Sequence, residues 1–178
     1  MDDHWVPILI QATLDDYPII QNLAQFYIYD VSRECDFSIS ENGLYEPNDY
    51  KSYVLEPLKK TFLVKVGAEI AGFVLLSQKT HESGKVSHKI DQFFILAKFQ
   101  HKGIGRKVVS QICDKYPGEF EAHVLTQNKK ALLFWHKVIG AYTKEKYHYE
   151  TINVNISYDP NNIQRVAFTF DTRVKLDE

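Results

Sequence analysis

The stretch from Asp91 to Lys107, DQFFILAKFQHKGIGRK, decides the fold of this chain. Its first residues form an apolar, strand-like run, and a short loop then leads into a glycine-containing segment. Apolar residues recur every fourth position after Gly103, which predicts a helix to about Tyr116, where Pro117-Gly118 ends it. The buried face of this helix would consist of Ile104, Val108 and Ile112. The stretch therefore predicts a strand, a loop and a helix in immediate succession.

The glycines at the start of this helix favour an anion-binding site. Backbone N–H groups are free at a helix N-terminus, the helix dipole adds partial positive charge, and absent side chains let a phosphate approach. No Asp or Glu occurs from Gln92 through Cys113, and the basic residues here are Lys98, His101, Lys102, Arg106 and Lys107. The simpler alternative is a solvated basic loop whose glycines serve only turn geometry.

Two common phosphate motifs do not fit this segment. A P-loop requires a Gly, four further residues and then Gly-Lys followed by Ser or Thr, and the chain has no such run. A Rossmann fingerprint requires Gly-x-Gly-x-x-Gly at the end of the strand, but Val108 stands at the third glycine and several residues separate the strand from the glycines. A P-loop is excluded and a dinucleotide fold is disfavoured.

A third pattern, Gln/Arg-x-x-Gly-x-Gly/Ala, is matched at every specified position by Gln100-His101-Lys102-Gly103-Ile104-Gly105. Further along the chain, the run from Asn128 to Tyr142 is similar to a second motif, Asn-x-x-Ala-x-x-Phe-Tyr followed by a glycine and an aromatic residue. With both motifs in this order and a strand between them, the chain resembles the GNAT N-acetyltransferase superfamily. In that family the first motif holds the pyrophosphate of acetyl-coenzyme A (acetyl-CoA).

The order of elements along the chain agrees with this resemblance. Periodicity and turn residues predict β-α-α-β-β-β-α-β-α-β-β, with a hairpin at Gly67-Ala68-Glu69, a C-cap at Gly140 and a turn at residues 159–162. This order predicts an α/β (α+β) mixed sheet covered by helices, in a single domain of residues 1–178. The resemblance implies a GNAT-like acyl-CoA N-acyltransferase fold, in which a central, mostly antiparallel sheet is splayed between strands 4 and 5 and has helices on both faces.

Length, composition and charge limit the class of protein. The 178 residues are 44% hydrophobic and 25% charged, which suits one folded domain. The net charge of −2 gives no overall electrostatic footprint for nucleic acid, and no apolar run is long enough to cross a membrane. Two cysteines and a beginning without a leader pattern predict a cytoplasmic protein. We expect no nucleic-acid, membrane or metal partner.

The resemblance implies acetyl-CoA as co-substrate and assigns residues to it. Main-chain groups of the fourth strand would pair with the pantetheine arm at Phe94, Ile95 and Leu96. The phosphates would contact Gln100, His101, Lys102, Gly103, Ile104, Gly105 and Arg106. Asn128 would lie beside the cofactor arm, and the same residue is also expected to cap the helix that follows it.

Transfer to an amine first requires removal of a proton. A primary amine has a pKa of about 10, so its deprotonation at neutral pH costs roughly 4 kcal/mol and calls for a nearby proton acceptor. The resemblance makes Asp91 the candidate base, while an ordinary ion pair with Lys89 or His88 is the alternative role for this carboxylate. His88 and Glu121 are further candidate bases.

The position of the general acid departs from the family pattern. Many members carry a Tyr where this chain has Trp135, whose indole donates a hydrogen bond but cannot supply a proton. Tyr142 and Tyr147 are candidate substitutes, with packing in the core as the alternative role for both. A thiol leaving group has a pKa of about 8.5, so the reaction depends less on an acid than on a base.

The resemblance implies that the acceptor meets residues 27–53, since family members build the acceptor cleft partly from the first two helices. Tyrosines and carboxylates are concentrated in this segment. Such residues suit a cationic amine through cation–π contact and charge pairing, and Tyr27 and Asp30 are the candidate substrate residues. A solvated acidic surface is the alternative interpretation. The predicted function is direct acetyl transfer from acetyl-CoA to a small cationic amine or a protein amine, and pairing of two copies as a homodimer is a further expectation. The alternative is a catalytically inactive CoA-binding sensor or interaction module, which Trp135 favours.

Overall fold

The computed structural model describes residues 5–35, 37–46, 50–154 and 163–175. In these residues, strands and helices follow one another in the predicted order. The strands are β1 (Pro7–Gln11), β2 (Lys59–Val66), β3 (Glu69–Thr80), β4 (Val86–Ile95), β5 (Glu119–Leu125), β6 (Tyr147–Val154) and β7 (Ile163–Asp171). The helices are α1 (Tyr17–Val31), α2 (Ser52–Leu55), α3 (Ile104–Lys115) and α4 (Lys129–Thr143). None of these helices is both long enough and apolar enough to cross a membrane.

The strands form a mixed sheet in the order β1-β2-β3-β4-β5-β7-β6. β4 runs parallel to β5 from Ser87 opposite Glu119 to Ile90 opposite Ala122. The pairs β1–β2, β2–β3, β5–β7 and β6–β7 are antiparallel. The predicted mixed α/β architecture is therefore confirmed, while the splay between β4 and β5 stays a prediction.

The chain divides into two compact units. The first consists of Met1–Gln78 and Asp91–Gln111, and the second consists of Lys79–Ile90 and Ile112–Glu178. The loop motif and Asp91 belong to the first unit, whereas Asn128 and Trp135 belong to the second. A single domain over the whole chain stays a prediction.

The first unit has an apolar core because α1 carries its hydrophobic residues at helical spacing. Ile20, Leu23 and Ala24 are buried on this helix, and the Tyr27 ring packs edge-on against Phe73 of β3 with 6.2 Å between ring centres. The other buried members of the core are Ala12, Tyr50, Leu63, Leu75 and Phe94. The predicted hairpin between β2 and β3 is confirmed, and Gly67 occupies its left-handed position with φ 60°.

One side chain joins α1 to the loop that follows it. Gln25 Nε2 donates to the carbonyl oxygen of Tyr45 at 2.9 Å, and Gln25 Oε1 accepts from the N–H of Tyr45 at 2.9 Å. The Tyr45 hydroxyl donates to Ser32 Oγ at 3.2 Å. Residues 37–46 are therefore tied to α1 although they contain neither helix nor strand.

The second unit is built on the predicted half-buried strand β5. Phe120, Ala122 and Val124 are buried at alternate positions, and the Phe120 ring stacks on Phe170 of β7 with 5.5 Å between ring centres. α4 supplies the buried residues Trp135, Val138, Ile139, Gly140 and Thr143. The buried residues of β5 and of one face of α4 thus form the apolar core of this unit.

The end of α4 differs from the sequence prediction. The helix continues past Gly140 to Thr143, and Lys144 is the left-handed C-cap with φ 53°, its N–H donating to the carbonyl oxygen of Gly140. A Cβ at position 140 would meet the carboxylate of Glu145, the far end of an exposed side chain that can move aside. The turn predicted at residues 159–162 lies outside the described residues.

Candidate active site

The start of α3 has the backbone geometry of an anion site. Its hydrogen-bond ladder begins with the N–H of Lys107, which donates to the carbonyl oxygen of Gly103 at 3.1 Å. The N–H groups of Ile104, Gly105 and Arg106 lie ahead of this first bond. Gly103 has φ 74°, and a Cβ there would meet nothing within 4 Å. The positive φ explains the glycine, and the open space beside it suits an approaching anion.

Two lysines of the predicted basic cluster are bound within the protein. Lys98 forms an ion pair with Glu69. Lys102 donates to the carbonyl oxygen of Lys98 at 2.6 Å, and its ammonium lies 3.8 Å from the centre of the Trp5 ring. Arg106 is exposed and has no ion-pair partner in the part of the chain that the structure describes. The contact of Arg106 with a phosphate stays a prediction.

Gln100, the first residue of the loop motif, is turned back onto β4. Its Nε2 donates to the carbonyl oxygen of Ile95 at 2.7 Å. The N–H of Leu96 donates to the carbonyl oxygen of Ala71 at 2.8 Å. His101, the next residue of the motif, is exposed with φ 59°. Gln100 thus stabilises the loop through a hydrogen bond to the main chain of β4. The pairing of Phe94, Ile95 and Leu96 with a pantetheine arm stays a prediction.

Asp91 is a partly buried carboxylate on β4. Lys89, the ion-pair partner that the alternative interpretation supposed, pairs with Glu121. Burial, followed by the charge of Asp91, raises the pKa of Tyr53 far above its ordinary value, so this phenol stays protonated. One carboxylate oxygen, Asp91 Oδ2, is buried without a hydrogen-bond partner among the described residues. A buried carboxylate oxygen that receives no hydrogen bond is suited to accept a proton.

Gln92, the residue after Asp91 on β4, is bound by a tyrosine hydroxyl. Its Nε2 donates to the Tyr50 hydroxyl at 2.6 Å, and its Oε1 is buried without a partner in the described part of the chain. The Tyr50 and Tyr53 rings meet edge-to-face with 6.2 Å between their centres. Tyr50 therefore holds the side chain of Gln92, and Tyr53 packs against Tyr50.

In the second unit, Lys89 and Glu121 belong to a surface network. Lys89 Nζ lies 3.5 Å from Glu121 Oε1 and 3.3 Å from His123 Nδ1, and His123 also pairs with Glu121. Burial and the nearby Lys89 ammonium lower the pKa of His123. His88, the other candidate base, is 5% exposed and packs against Phe120, and burial lowers its pKa.

The residues predicted around α4 are engaged in folding contacts. Asn128 caps the helix, as expected, because its Oδ1 accepts from the N–H of Ala131 at 3.0 Å. Trp135 is 6% exposed and meets Phe134 edge-on with 5.3 Å between ring centres. The cap is therefore confirmed, while a cofactor contact of Asn128 stays a prediction.

The two candidate substitute acids have hydrogen-bond partners. The Tyr142 hydroxyl donates to Asp114 Oδ1 at 2.7 Å, and the Tyr147 hydroxyl lies 2.9 Å from His136 Nδ1. Burial raises the pKa of both phenols. These contacts give both tyrosines a structural role.

The sequence matches the model of the Acetyltransferase (GNAT) family over residues 25–141, well over half of the chain. The chain belongs to this family. It is therefore an acetyltransferase, in agreement with the two motifs. No curated protein sequence matches the chain.

Solved structures of acetyltransferases share the fold of the chain at low sequence identity. A spermidine N-acetyltransferase from Vibrio cholerae in complex with CoA and spermine is 16% identical with a TM-score of 0.67, covering 96% of this chain and 98% of that one. An acetyltransferase from Thermus thermophilus is 16% identical with a TM-score of 0.63, covering 94% and 98%. Arabidopsis thaliana Naa50, bound to the bisubstrate analogue CoA-Ac-MVNAL, is 18% identical with a TM-score of 0.59, covering 93% and 98%.

The two candidate acceptor residues of the acetyltransferase do not form one cluster. Tyr27 packs on Phe73 and on Phe94, the latter with 6.0 Å between ring centres, so its ring belongs to the core. Asp30 is exposed and lies 3.9 Å from Arg33 one turn further along α1. Their assignment as substrate residues stays a prediction.

Sequence reasoning missed Gln92 and gave no separate role to Tyr50 and Tyr53. Tyr50 and Gln92 are 42 positions apart, so no local spacing signals their contact. The only sequence signal was the concentration of tyrosines in residues 27–53.

Proposed function

We propose that this acetyltransferase moves the acetyl group of acetyl-CoA directly to the nitrogen of a small cationic amine. The observation that carries the proposal is Asp91, a carboxylate on β4 whose Oδ2 is buried and unpartnered among the described residues. Acetyl-CoA would supply an activated thioester carbonyl. The residues of the chain would hold its phosphates and remove the proton of the amine.

The phosphate end fits the start of α3. The N–H groups ahead of the Lys107 bond, the open space at Gly103 and the exposed Arg106 all suit an anion. Asn128 is the proposed contact to the cofactor arm, in addition to its capping role.

The proton of the amine would pass to Asp91. The ammonium first gives one proton to Asp91 Oδ2 and becomes a neutral amine. Attack by its nitrogen then forms the C–N bond and breaks the C–S bond, the second proton that the nitrogen loses goes to solvent, and the leaving thiolate takes a proton from solvent. Trp135 stands where many family members place an acid, and a thiolate is stable enough near neutral pH to leave without one.

We propose a cationic amine as the substrate because the candidate site offers hydrogen-bond acceptor atoms and aromatic rings. Asp91 Oδ2 and Gln92 Oε1 are both buried acceptors without partners in the described ranges, and the rings of Tyr50 and Tyr53 lie beside them. The Vibrio cholerae structure with spermine and the Arabidopsis structure with a peptide conjugate support an amine acceptor in general. We further propose that the chain is a single cytoplasmic domain that can pair as a homodimer.

Thiol release from acetyl-CoA in the presence of spermidine, butylamine or a peptide with a free N-terminus tests this function. We expect binding of acetyl-CoA by calorimetry, faster release with spermidine than with the peptide, and strong loss of release in Asp91→Asn. Gly103→Val should abolish acetyl-CoA binding, whereas Gly43→Val, which alters another positive-φ glycine with open space around it, should not. Binding without thiol release for any amine would instead identify a CoA sensor.

A further inference from the structure

Trp5, two residues before β1, contacts two lysines at the start of α3. The ammonium of Lys102 lies 3.8 Å from the centre of the Trp5 ring. Lys107 Nζ donates to the carbonyl oxygen of Trp5 at 3.2 Å. These lysines come directly before and directly after residues 103–106, whose main chain forms the proposed phosphate site. One residue from a distant part of the sequence therefore joins the two ends of that site.

Two further contacts attach the same segments to each other. Gln111 Nε2, one helical turn after Lys107 on α3, donates to the carbonyl oxygen of Pro7 at 3.1 Å. The ring of Phe99, which is 2% exposed, meets the Trp5 ring edge-on with 6.1 Å between ring centres. All of these residues belong to the first unit. The start of β1 therefore holds both α3 and the loop that leads into it.

The loop before Gly103 is also held from its other side. Lys102 Nζ donates to the carbonyl oxygen of Lys98 at 2.6 Å, and Lys98 forms an ion pair with Glu69 at the start of β3. The Lys102 side chain therefore lies between the Trp5 ring and the main chain of its own loop. A binding site that is already ordered loses less conformational entropy when its ligand binds.

We propose that Trp5 is a positioning residue for acetyl-CoA. Its ring holds Lys102 and its carbonyl oxygen holds Lys107, so the N–H groups of residues 104–106 are arranged for the phosphates before the cofactor binds. Trp5 acts through these two lysines and does not itself contact the phosphates. The inference rests on the phosphate site in the function proposed above.

Trp5→Leu removes the aromatic face and keeps the carbonyl oxygen that binds Lys107. We expect acetyl-CoA affinity, measured by calorimetry, to fall about fivefold, the KM of acetyl-CoA to rise similarly, and kcat at saturation to stay unchanged. Trp5→Phe keeps an aromatic ring and should recover most of the affinity. Tyr29→Leu is the matched control, because it removes a ring that lies 5.9 Å from the Arg33 guanidinium on the same unit, and it should leave acetyl-CoA affinity unchanged.

The salt dependence of acetyl-CoA affinity separates positioning from a change in charge. Trp5→Leu alters no charge, so the affinity of this variant should decrease with salt concentration as steeply as that of the wild type. A higher affinity in Trp5→Leu, with a steeper salt dependence, would mean that Trp5 keeps Lys102 away from the phosphates. That result would overturn the assignment.

Amide hydrogen exchange without cofactor tests the positioning directly. In Trp5→Leu the N–H of Lys107, which donates to the carbonyl oxygen of Gly103, should exchange faster, while the amides of α4 exchange as in the wild type. An unchanged rate at Lys107 would contradict the proposal. If the wild type does not bind acetyl-CoA, the proposed phosphate site fails and the assignment fails with it. If the wild type and Trp5→Leu bind acetyl-CoA equally tightly, the assignment alone fails.

Discussion

Gly72 on β3 lies directly against the carbonyl oxygen of Phe94 on β4. A Cβ at position 72 would overlap that oxygen and would lie 3.0 Å from the Cα of Ile95. The neighbouring Ala71 carbonyl accepts the N–H of Leu96, and the register of β2 against β3 shifts between Val64 and Lys65. The end of the strand that carries Asp91 is therefore set by a position that tolerates no side chain.

Gly72→Ala should destabilise the protein by about 1–3 kcal/mol, because backbone atoms must move to admit a methyl group. Gly67→Ala is the control, since Gly67 has a positive φ but open space around it, and it should cost about 1 kcal/mol from backbone conformation alone. Urea unfolding measures both. Similar stability of Gly72→Ala and the wild type would refute the close approach.

Arg106→Ala should weaken acetyl-CoA binding about tenfold or more, because an exposed guanidinium at the start of α3 can bind a phosphate by charge-assisted hydrogen bonds. Lys102→Ala should have a smaller effect, since Lys102 is already bound to the Lys98 carbonyl and lies over Trp5. Calorimetry at low and high salt measures both affinities. A larger loss of acetyl-CoA affinity for Lys102→Ala than for Arg106→Ala would contradict this assignment.

Asn128→Ala should lower the free energy of unfolding by about 1 kcal/mol through loss of the α4 cap. Asn128→Ser keeps a capping oxygen and removes the amide, so it should retain most of the stability. If acetyl-CoA affinity falls in both variants, Asn128 also binds the cofactor. If acetyl-CoA affinity falls only in the variant that loses stability, Asn128 acts only as the helix cap.

His88 should make the fold less stable in acid. Burial lowers its pKa from the ordinary 6.5, so below that pH the unfolded chain binds the proton more readily, and stability falls as pH falls. His88→Phe keeps a ring against Phe120 and should flatten the dependence of unfolding free energy on pH below about 6.5. The exposed His148, changed to Gln, is the control. An unchanged slope in His88→Phe would argue against this role.

Local patterns predicted most of the fold because they need only neighbouring residues. The apolar spacing of α3, the alternation of β5 and the cap at Asn128 all lie within a few positions and were confirmed. Gly140 was assigned wrongly as a C-cap, because a glycine near a helix end suits either a cap or a close contact, and here Glu145 fills the space.

Contacts between distant segments could not be predicted in the same way. The sequence identified the basic loop, but the pairing of Lys98 with Glu69 joins residues 29 positions apart. Asp91 was named because the family resemblance often places a base in this strand region, whereas Tyr50, which binds the neighbouring Gln92, was one of several tyrosines with nothing to distinguish it. Chemistry at a site depends on these long-range contacts, so candidate bases were easier to name than the residues that orient them.

The reciprocal bonds between Gln25 and Tyr45 make the loop after α1 an exchangeable part of the scaffold. The Gln25 amide and the Ser32 hydroxyl hold Tyr45 at the far end of the loop, so residues 37–44 can change in sequence while the buried face of α1 keeps its packing. Loop grafts that preserve Gln25 and the backbone at position 45 therefore offer a direct way to redesign this surface without rebuilding the core.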